Sequence, residues 1–513
     1  MEERRFRIAF MMTTNARRNL IPAALHFLLP LMVYWLTLLP GTGYRGDTAK
    51  FQYLGKILGI PHSTGYPQYL LLNHLMGLLP WKEPAYGQNL LSALLGAGAI
   101  ALLFFVFRRV TGDTLIASAA VLLLAFSRLF WGQSIVAEVY ALQMLFFAGI
   151  MYCAVRWQQE RESRWLAATV FLYALSFGNH ASSIFWLPGL FLFIGDVDRS
   201  ALRRPGFWGM CIGFAALSLS QYAYLFIRSR SDCPYIEVGI RTAGDFIRFA
   251  LATKFHGRMV GFSWHDLWYE QTHWFVSLFY FQFFSVGCFL AAVGLWECFC
   301  KNRPLFYLTF PAFLFNALFA LGYRVDDAAV FALPCFFLAA FWIAVGMQEV
   351  AERFLRRCWR ILFFLLIPVL MVSNWSLVDQ SKNILAQLAT ERIVRFVPPD
   401  SVLVTEVYQA AHYFRYHLWA KGIRKPDENI FVAQEWRPEQ LAAYLAGQSP
   451  LVECGMEIPL GLHPFFADCP LLFKMKGEKF EPVLFFDYPN GLREPVLFER
   501  VTESQGVNTS RSF

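Results

Sequence analysis

Long apolar runs nearly free of charge dominate this chain, and they leave few folds open to it. A helix that crosses a bilayer needs about 20 predominantly apolar residues. Such runs occur at 20–39, 88–107, 113–130, 136–155, 207–227, 273–298, 304–322, 328–347 and 360–377. The stretch 165–195 is equally apolar, but Ser-Phe-Gly-Asn-His-Ala-Ser interrupts it. It divides into two short spans, 165–178 and 181–195, which meet around a polar turn. The expected fold is an all-α polytopic membrane protein of about eleven transmembrane helices. Composition agrees. Of 513 residues only 16% are charged, where a soluble chain of this length carries about a quarter.

Arginine placement orients these spans. Arg4, Arg5, Arg7, Arg17 and Arg18 precede the first run and put the N-terminus in the cytoplasm. That run is too long for a signal peptide and lacks a small-residue cleavage site, so it is expected to stay as an anchor. Alternating from there, Arg108-Arg109, Arg156 to Arg164, Arg199 to Arg204, Lys301 to Arg303 and the cluster at 353–360 all fall on the cytoplasmic side. The net charge of +8 is thereby explained by orientation, with no need of nucleic acid. The extracytoplasmic side receives loop 40–87, the Gly-Asn-His turn, loop 228–272, the segment 323–328 and everything after 378. Residues 1–378 form the expected membrane domain. Residues 379–513 alternate helix-like and strand-like patterns, as in a small extracytoplasmic α/β domain. Cys454 and Cys469 lie there and could pair outside the cell; no Cys/His spacing marks a metal site. The expected location is a cell-envelope membrane, the inner membrane of a bacterium.

Polar residues capable of chemistry gather on that outer side. Asp47 opens a stretch in which Phe51, Leu54, Ile57 and Leu58 recur at helical spacing, with Lys50, Gln52 and Lys56 on other faces. The pattern predicts an amphipathic helix along the membrane surface, ended by Gly59 and Pro61. Asp47 could cap that helix, or accept a proton from an attacking hydroxyl, and one position allows both. Glu138 is expected in the first turn of a span, favoured by the helix dipole or facing a cavity. His180 is either a polar turn residue or part of a cavity between short spans. Asp326 and Asp327 form an exposed acidic pair. Loop 228–272 carries Arg228, Arg230, Arg241 and Arg258, which escape the inside bias either because the loop is long or because they hold a phosphate at the membrane surface. Acids, a histidine and arginines on one face suit an enzyme taking a phosphate-bearing lipid from the membrane. A sugar or lipid transporter without covalent chemistry is the alternative, although transporters keep their ionisable residues nearer the bilayer midplane.

The segment Gly46-Asp47-Thr48-Ala49-Lys50, with Leu58-Gly59 and His62-Ser63-Thr64-Gly65-Tyr66-Pro67, resembles the first external loop of the C-superfamily integral-membrane glycosyltransferases. It is most similar there to the protein O-mannosyltransferase-like transmembrane family. Trp131, Gln133 and Glu138 to Leu142 resemble a second family motif, Tyr323, Asp326, Leu333 and Pro334 a third, and residues 400–427 the family's post-membrane region. The resemblance implies a polyprenyl-phosphate hexose donor, inverting transfer to an extracytoplasmic protein or glycan hydroxyl, and Asp47 as the base or as the group that orients that hydroxyl. Glu138, His180, His62, Tyr66, Lys50 and Asp326 would then contact substrate, and the loop arginines the donor phosphate. Two departures stand out: Lys50 replaces a glutamate, and Ser63-Thr64 replace two prolines.

Overall fold

The computed structural model describes residues 21–354 except 44, 45 and 260, then 357–405, 407–425, 428, 430–434, 443, 444, 448, 450–453, 456–458, 465–467, 480–487 and 493–500. The N-terminal arginines and Cys454 and Cys469 lie outside the described residues. Every candidate span is helical. The helices are Ile21–Leu36, Pro84–Thr111, Thr114–Ala125 with Arg128–Ser134, Tyr140–Glu160, Ser163–Ser176, Ala181–Val197, Pro205–Arg228, Trp264–Lys301, Arg303–Gly322, Ala328–Phe354 and Arg360–Val378. Among the described residues, seven are long and apolar enough to cross a membrane, or eight if the bent pair is one span. Their outward faces are apolar too: only 17% of the apolar window of Pro205–Arg228 is buried inside the protein, against 78% for Ala328–Phe354. Helices that leave such surface uncovered need hydrocarbon around them, so the chain is an integral membrane protein.

Ala328–Phe354 is the central helix, and small residues let its neighbour approach. A Cβ on Gly346 would stand 2.0 Å from the Leu290 carbonyl oxygen, and one on Gly294 would stand 1.8 Å from that of Trp342. Backbone packs on backbone here, as small residues permit in membrane helix pairs. Gly346→Val is therefore expected to cost about 3 kcal/mol or more through overpacking. Thermal unfolding in detergent checks it, and an unchanged midpoint would contradict the close approach.

The run at 113–130, expected as one straight span, is instead two helices bent by 68° at Phe126-Ser127. Breaking a helix in hydrocarbon leaves backbone groups without partners, which neighbours must supply. Tyr34 Oη donates to the Ala125 carbonyl at 2.8 Å, Asn374 Nδ2 to that of Phe126 at 3.0 Å, and the Leu129 N–H donates to Gln282 Oε1 at 2.8 Å. These partners sit far away in sequence, so the local pattern did not reveal the bend. The 165–195 run does break where the polar residues interrupt it, at 177–180.

The two ends of the bundle differ. At one, Arg109 and Arg156 pair with Glu160, Arg360 with Asp113, and Lys301 and Arg353 with Glu297 and Glu349. At the other lie helices Thr48–Ile57 and Pro67–Gly77, the loop after Arg228, and the segment after Val378. In that last segment strand Ser401–Thr405 runs parallel to Ile430–Gln434, with Leu403 opposite Val432, and helix Tyr408–Arg415 connects them. Phe465–Ala467, Arg493–Arg500 and Phe480–Asp487 extend the sheet on the other side.

Candidate active site

Helix Thr48–Ile57 is enclosed by protein and presents no free amphipathic face. Its residues Thr48 to Gly55 are all buried, Lys50 and Gln52 among them. The apolar spacing is real, but the polar faces are covered as well, by partners that come from distant parts of the chain. Gln52 Nε2 donates to Asn89 Oδ1 at 2.9 Å, Asn73 Nδ2 to the Phe51 carbonyl at 2.7 Å, and Tyr53 Oη meets His412 Nδ1 at 2.9 Å. The helix is thus held rigidly between the membrane bundle and the post-membrane segment.

Asp47 occupies the N-cap position, yet its carboxylate makes no cap hydrogen bond. It turns instead toward a cavity of about 2520 Å³ that it helps to line. Three groups hold it there. Tyr408 Oη donates to Oδ1 at 2.5 Å, Lys50 Nζ lies 3.1 Å from Oδ1, and His62 Nε2 lies 3.4 Å from Oδ2. Burial pushes this carboxyl up, but the Lys50 charge, His62 and the Tyr408 hydroxyl together outweigh burial and hold it well below the usual carboxylate range. Burial also lowers His62, against Asp47, so its ring is neutral near pH 7. His62 Nδ1 faces the Lys50 ammonium at 3.2 Å and must accept from it, which leaves the ring proton on Nε2, toward Asp47 and the Tyr66 hydroxyl at 3.1 Å.

Glu138 lies in the turn just before helix Tyr140–Glu160, one step earlier than the first turn expected for it, and it is buried. It accepts from Thr48 Oγ1 at 3.1 Å. Burial, then the charges of Asp47 and Asp327, raise its carboxyl well above the ordinary range. Burial and the Asp47 charge likewise push Asp327 up to about 6. Gly46, at φ +70, passes between these groups: a Cβ there would meet Glu138 Oε1 at 3.4 Å and Asp327 Oδ2 at 3.7 Å. His180 stacks on Tyr66 with ring centroids 5.7 Å apart and packs against Tyr140 and Phe331, so an aromatic box stands beside the carboxylates. Burial is the main cause that lowers His180 to about 4.

Of the residues singled out in the sequence, Asp47, His62, Tyr66, Glu138, His180, Asp326 and Arg258 line this one cavity. Lys50 stands behind Asp47 and does not line it. Arg228 is directed elsewhere: its Nε and Nη2 donate to the carbonyls of Leu58 and Ile57, closing the end of helix Thr48–Ile57. Arg230 binds the carbonyls of Phe226, Ile240 and Arg241, and Arg241 is exposed outside the cavity. The cavity wall has further groups that sequence reasoning passed over. These are Glu237, Arg324 and Tyr408, while Asp327 and the loop residue Lys254 also line it. One signal for Tyr408 was present: Tyr408, His412 and Tyr416 recur every fourth residue, which puts them on one helix face. Glu237 lacked such a signal, as one of five acids, with Asp232, Asp245, Asp266 and Glu270, scattered through a loop rich in basic residues.

Away from this polar end the cavity continues as an apolar groove between helices Ser163–Ser176, Leu187–Val197 and Pro205–Ser220. Tyr173, Leu190, Ile194, Phe207, Trp208 and Leu219 face it. Lys254, Arg258 and Arg324 line the cavity with no carboxylate in salt-bridge reach among the described residues. Among those residues, no three His, Cys, Asp or Glu side chains converge as a group able to hold a metal.

Residues 47–197 match the sequence profile of the protein O-mannosyl-transferase TMEM260 N-terminal domain. The chain is 24% identical to mouse protein O-mannosyl-transferase TMEM260 over 465 residues, covering 81% of this chain and 63% of that protein. It spans somewhat less than two thirds of that relative's length. In fold it is similar to ArnT from Cupriavidus metallidurans, in the apo state (TM-score 0.60, 10% identity) and bound to undecaprenyl phosphate (TM-score 0.57, 10% identity), over 94% of this chain and 99% of each ArnT chain. It is similar also to the Archaeoglobus fulgidus oligosaccharyltransferase in complex with Zn and sulfate (TM-score 0.51, 12% identity; 91% of this chain, 72% of that one). The chain is thus similar in fold to ArnT and to the oligosaccharyltransferase, and over residues 47–197 similar in sequence to the protein O-mannosyl-transferase TMEM260 N-terminal domain.

Proposed function

We propose that this chain is a membrane glycosyltransferase that moves a hexose from a polyprenyl-phosphate donor to a hydroxyl of an extracytoplasmic protein. One observation carries this reading: a single cavity joins an ordered carboxylate, cations with no carboxylate in reach among the described residues, and a long apolar groove. A lipid-linked sugar needs all three. The groove takes the isoprenoid tail, Lys254, Arg258 and Arg324 take the phosphate, and the aromatic box beside His180 takes the sugar face. The acceptor oxygen attacks the anomeric carbon as the bond from that carbon to the phosphate oxygen breaks, with inversion. Its proton passes to Asp47 and polyprenyl phosphate leaves. Asp47 is too weakly basic to deprotonate a free alcohol beforehand. It orients the hydroxyl and receives the proton late, once bond formation has made that hydroxyl acidic. Residues 1–378 serve as the membrane domain, of about eleven spans, and residues 379–513 as an extracytoplasmic α/β unit. The N-terminus is cytoplasmic.

The direct test is to incubate purified protein with labelled polyprenyl-phosphate hexoses and a Ser/Thr-rich acceptor protein. The expected result is labelled acceptor and free polyprenyl phosphate. Movement of label across liposomes with no covalent product would establish transport instead. The acids set a pH dependence. Asp327 acquires its charge as pH rises through about 6, adding a negative charge to the cavity that must hold an anionic donor. The KM for the donor is expected to rise across that interval. Asp327→Asn should flatten the rise, and a variant with the parental profile would exclude this effect.

A further inference from the structure

Lys50 is fully buried, and its ammonium has three donors and three partners. They are Asp47 Oδ1 at 3.1 Å, Glu237 Oε2 at 3.0 Å and His62 Nδ1 at 3.2 Å, with the Tyr408 ring 5.0 Å away. No donor remains for a substrate, and Lys50 is absent from the cavity wall. Two of its partners, Asp47 and Glu237, do line that wall. They arrive from opposite parts of the fold, Asp47 from the first loop and Glu237 from the loop that follows helix Ala223–Arg228.

The loop is fixed where Glu237 leaves it. The Glu237 N–H donates to the Ile60 carbonyl and the Ile60 N–H to the Tyr235 carbonyl, both at 2.9 Å, forming a parallel bridge of Ile60 with Ile236. Tyr235 Oη donates to Glu237 Oε2 at 3.3 Å. Gly59 makes the approach possible, since a Cβ there would lie 3.0 Å from the Tyr235 carbonyl oxygen. Some twenty residues further along, the same loop supplies Lys254 and Arg258 to the cavity.

We propose that Glu237 is a positioning residue of the transfer site: gripping Lys50 from the far side, it fixes Asp47 in its reactive orientation and locks the loop bearing Lys254 and Arg258 in register with it. This rests on the glycosyltransferase reading and adds a mechanical link to it. The acceptor-side carboxylate and the donor-side cations share one buried ammonium as their common anchor, so neither moves without the other. A displacement of Asp47 by about 1 Å is enough to cost on the order of 10² in rate.

The test combines kinetics with hydrogen exchange on full-length protein in detergent. Glu237→Gln is expected to lower kcat about 10²-fold and, as the loop bearing Lys254 and Arg258 loosens, to raise the KM for the lipid donor by a smaller factor, below about tenfold. Glu237→Asp should recover part of kcat, and amides 233–241 should lose protection in Glu237→Gln but not in Glu237→Asp. A KM increase at unchanged kcat would make Glu237 a substrate ligand and overturn the proposal. Parental kinetics would overturn it too, as would unchanged exchange across 233–241. If the parental protein transfers no sugar, the glycosyltransferase reading fails, while the exchange arm still decides whether Glu237 locks the loop. If Glu237→Gln does not fold, the kcat and exchange of Glu237→Asp against the parent decide: values identical to the parent would refute the link.

Discussion

Asp47→Asn is expected to insert and fold but to lose a factor of about 10²–10⁴ in kcat. The fold survives because of the local charge count. Lys50 keeps Glu237 as its counter-ion at 3.0 Å, so removal of the Asp47 charge leaves no buried cation unpaired. The amide oxygen can still accept from Tyr408 and Lys50. What disappears is the anionic oxygen able to take a proton from the acceptor. Glu138→Gln is the informative companion. Burial and the charges of two neighbouring acids raise the Glu138 carboxyl well above its ordinary range and so favour its neutral form, which an amide mimics. Its kcat should fall by less than about tenfold, far short of the loss at Asp47. Turnover by Asp47→Asn above a tenth of parental would remove Asp47 from the chemistry, and equal losses in both variants would assign the effect to the acidic cluster as a whole.

How much of this was legible beforehand follows from the range of each interaction. The apolar helices could be read because apolar runs are local, and helix Leu385–Phe396 and strands Ser401–Thr405 and Ile430–Gln434 because their periodicity is. Asp47, His62 and Tyr66 could be singled out because they share one short segment. Lys50 shows where the method stops. Helical spacing put it on a polar face and predicted exposure, but spacing cannot say what covers that face. The cover comes from Glu237 and Tyr408, roughly two hundred and three hundred and sixty residues along the chain. Arg228 fails for the opposite reason. Its charge suggested a phosphate, whereas its guanidinium satisfies the carbonyls of Leu58 and Ile57 that end a helix. The bend at Phe126 escaped notice because the side chains that satisfy it, Tyr34 and Asn374, lie in other spans.

Lys50→Met should have the largest effect on stability, and it should reverse the pH dependence. Removing one member of a buried ion cluster leaves charges without compensation, at a cost of about 3–5 kcal/mol near neutral pH. In the parental protein Asp47 and Glu237 are both held below their ordinary range, since Lys50 and His62 outweigh the effect of burial. The unfolded chain, with carboxyls titrating near 4, binds protons more readily than the folded one. The contribution of these groups is therefore present above about pH 4 and is lost as pH falls through their lower folded values. Without Lys50, burial is no longer outweighed, and two carboxylates face one another across the space left by the ammonium. At least one rises above its unfolded value, so the folded variant now takes up a proton that the unfolded chain does not. Its stability should then increase as pH is lowered from 8 to 5, while the parental protein gains nothing from these groups over the same interval. Thermal unfolding in detergent at pH 5 and pH 8 measures both slopes. Parallel slopes would mean that Lys50 is not the group that keeps Asp47 and Glu237 ionised.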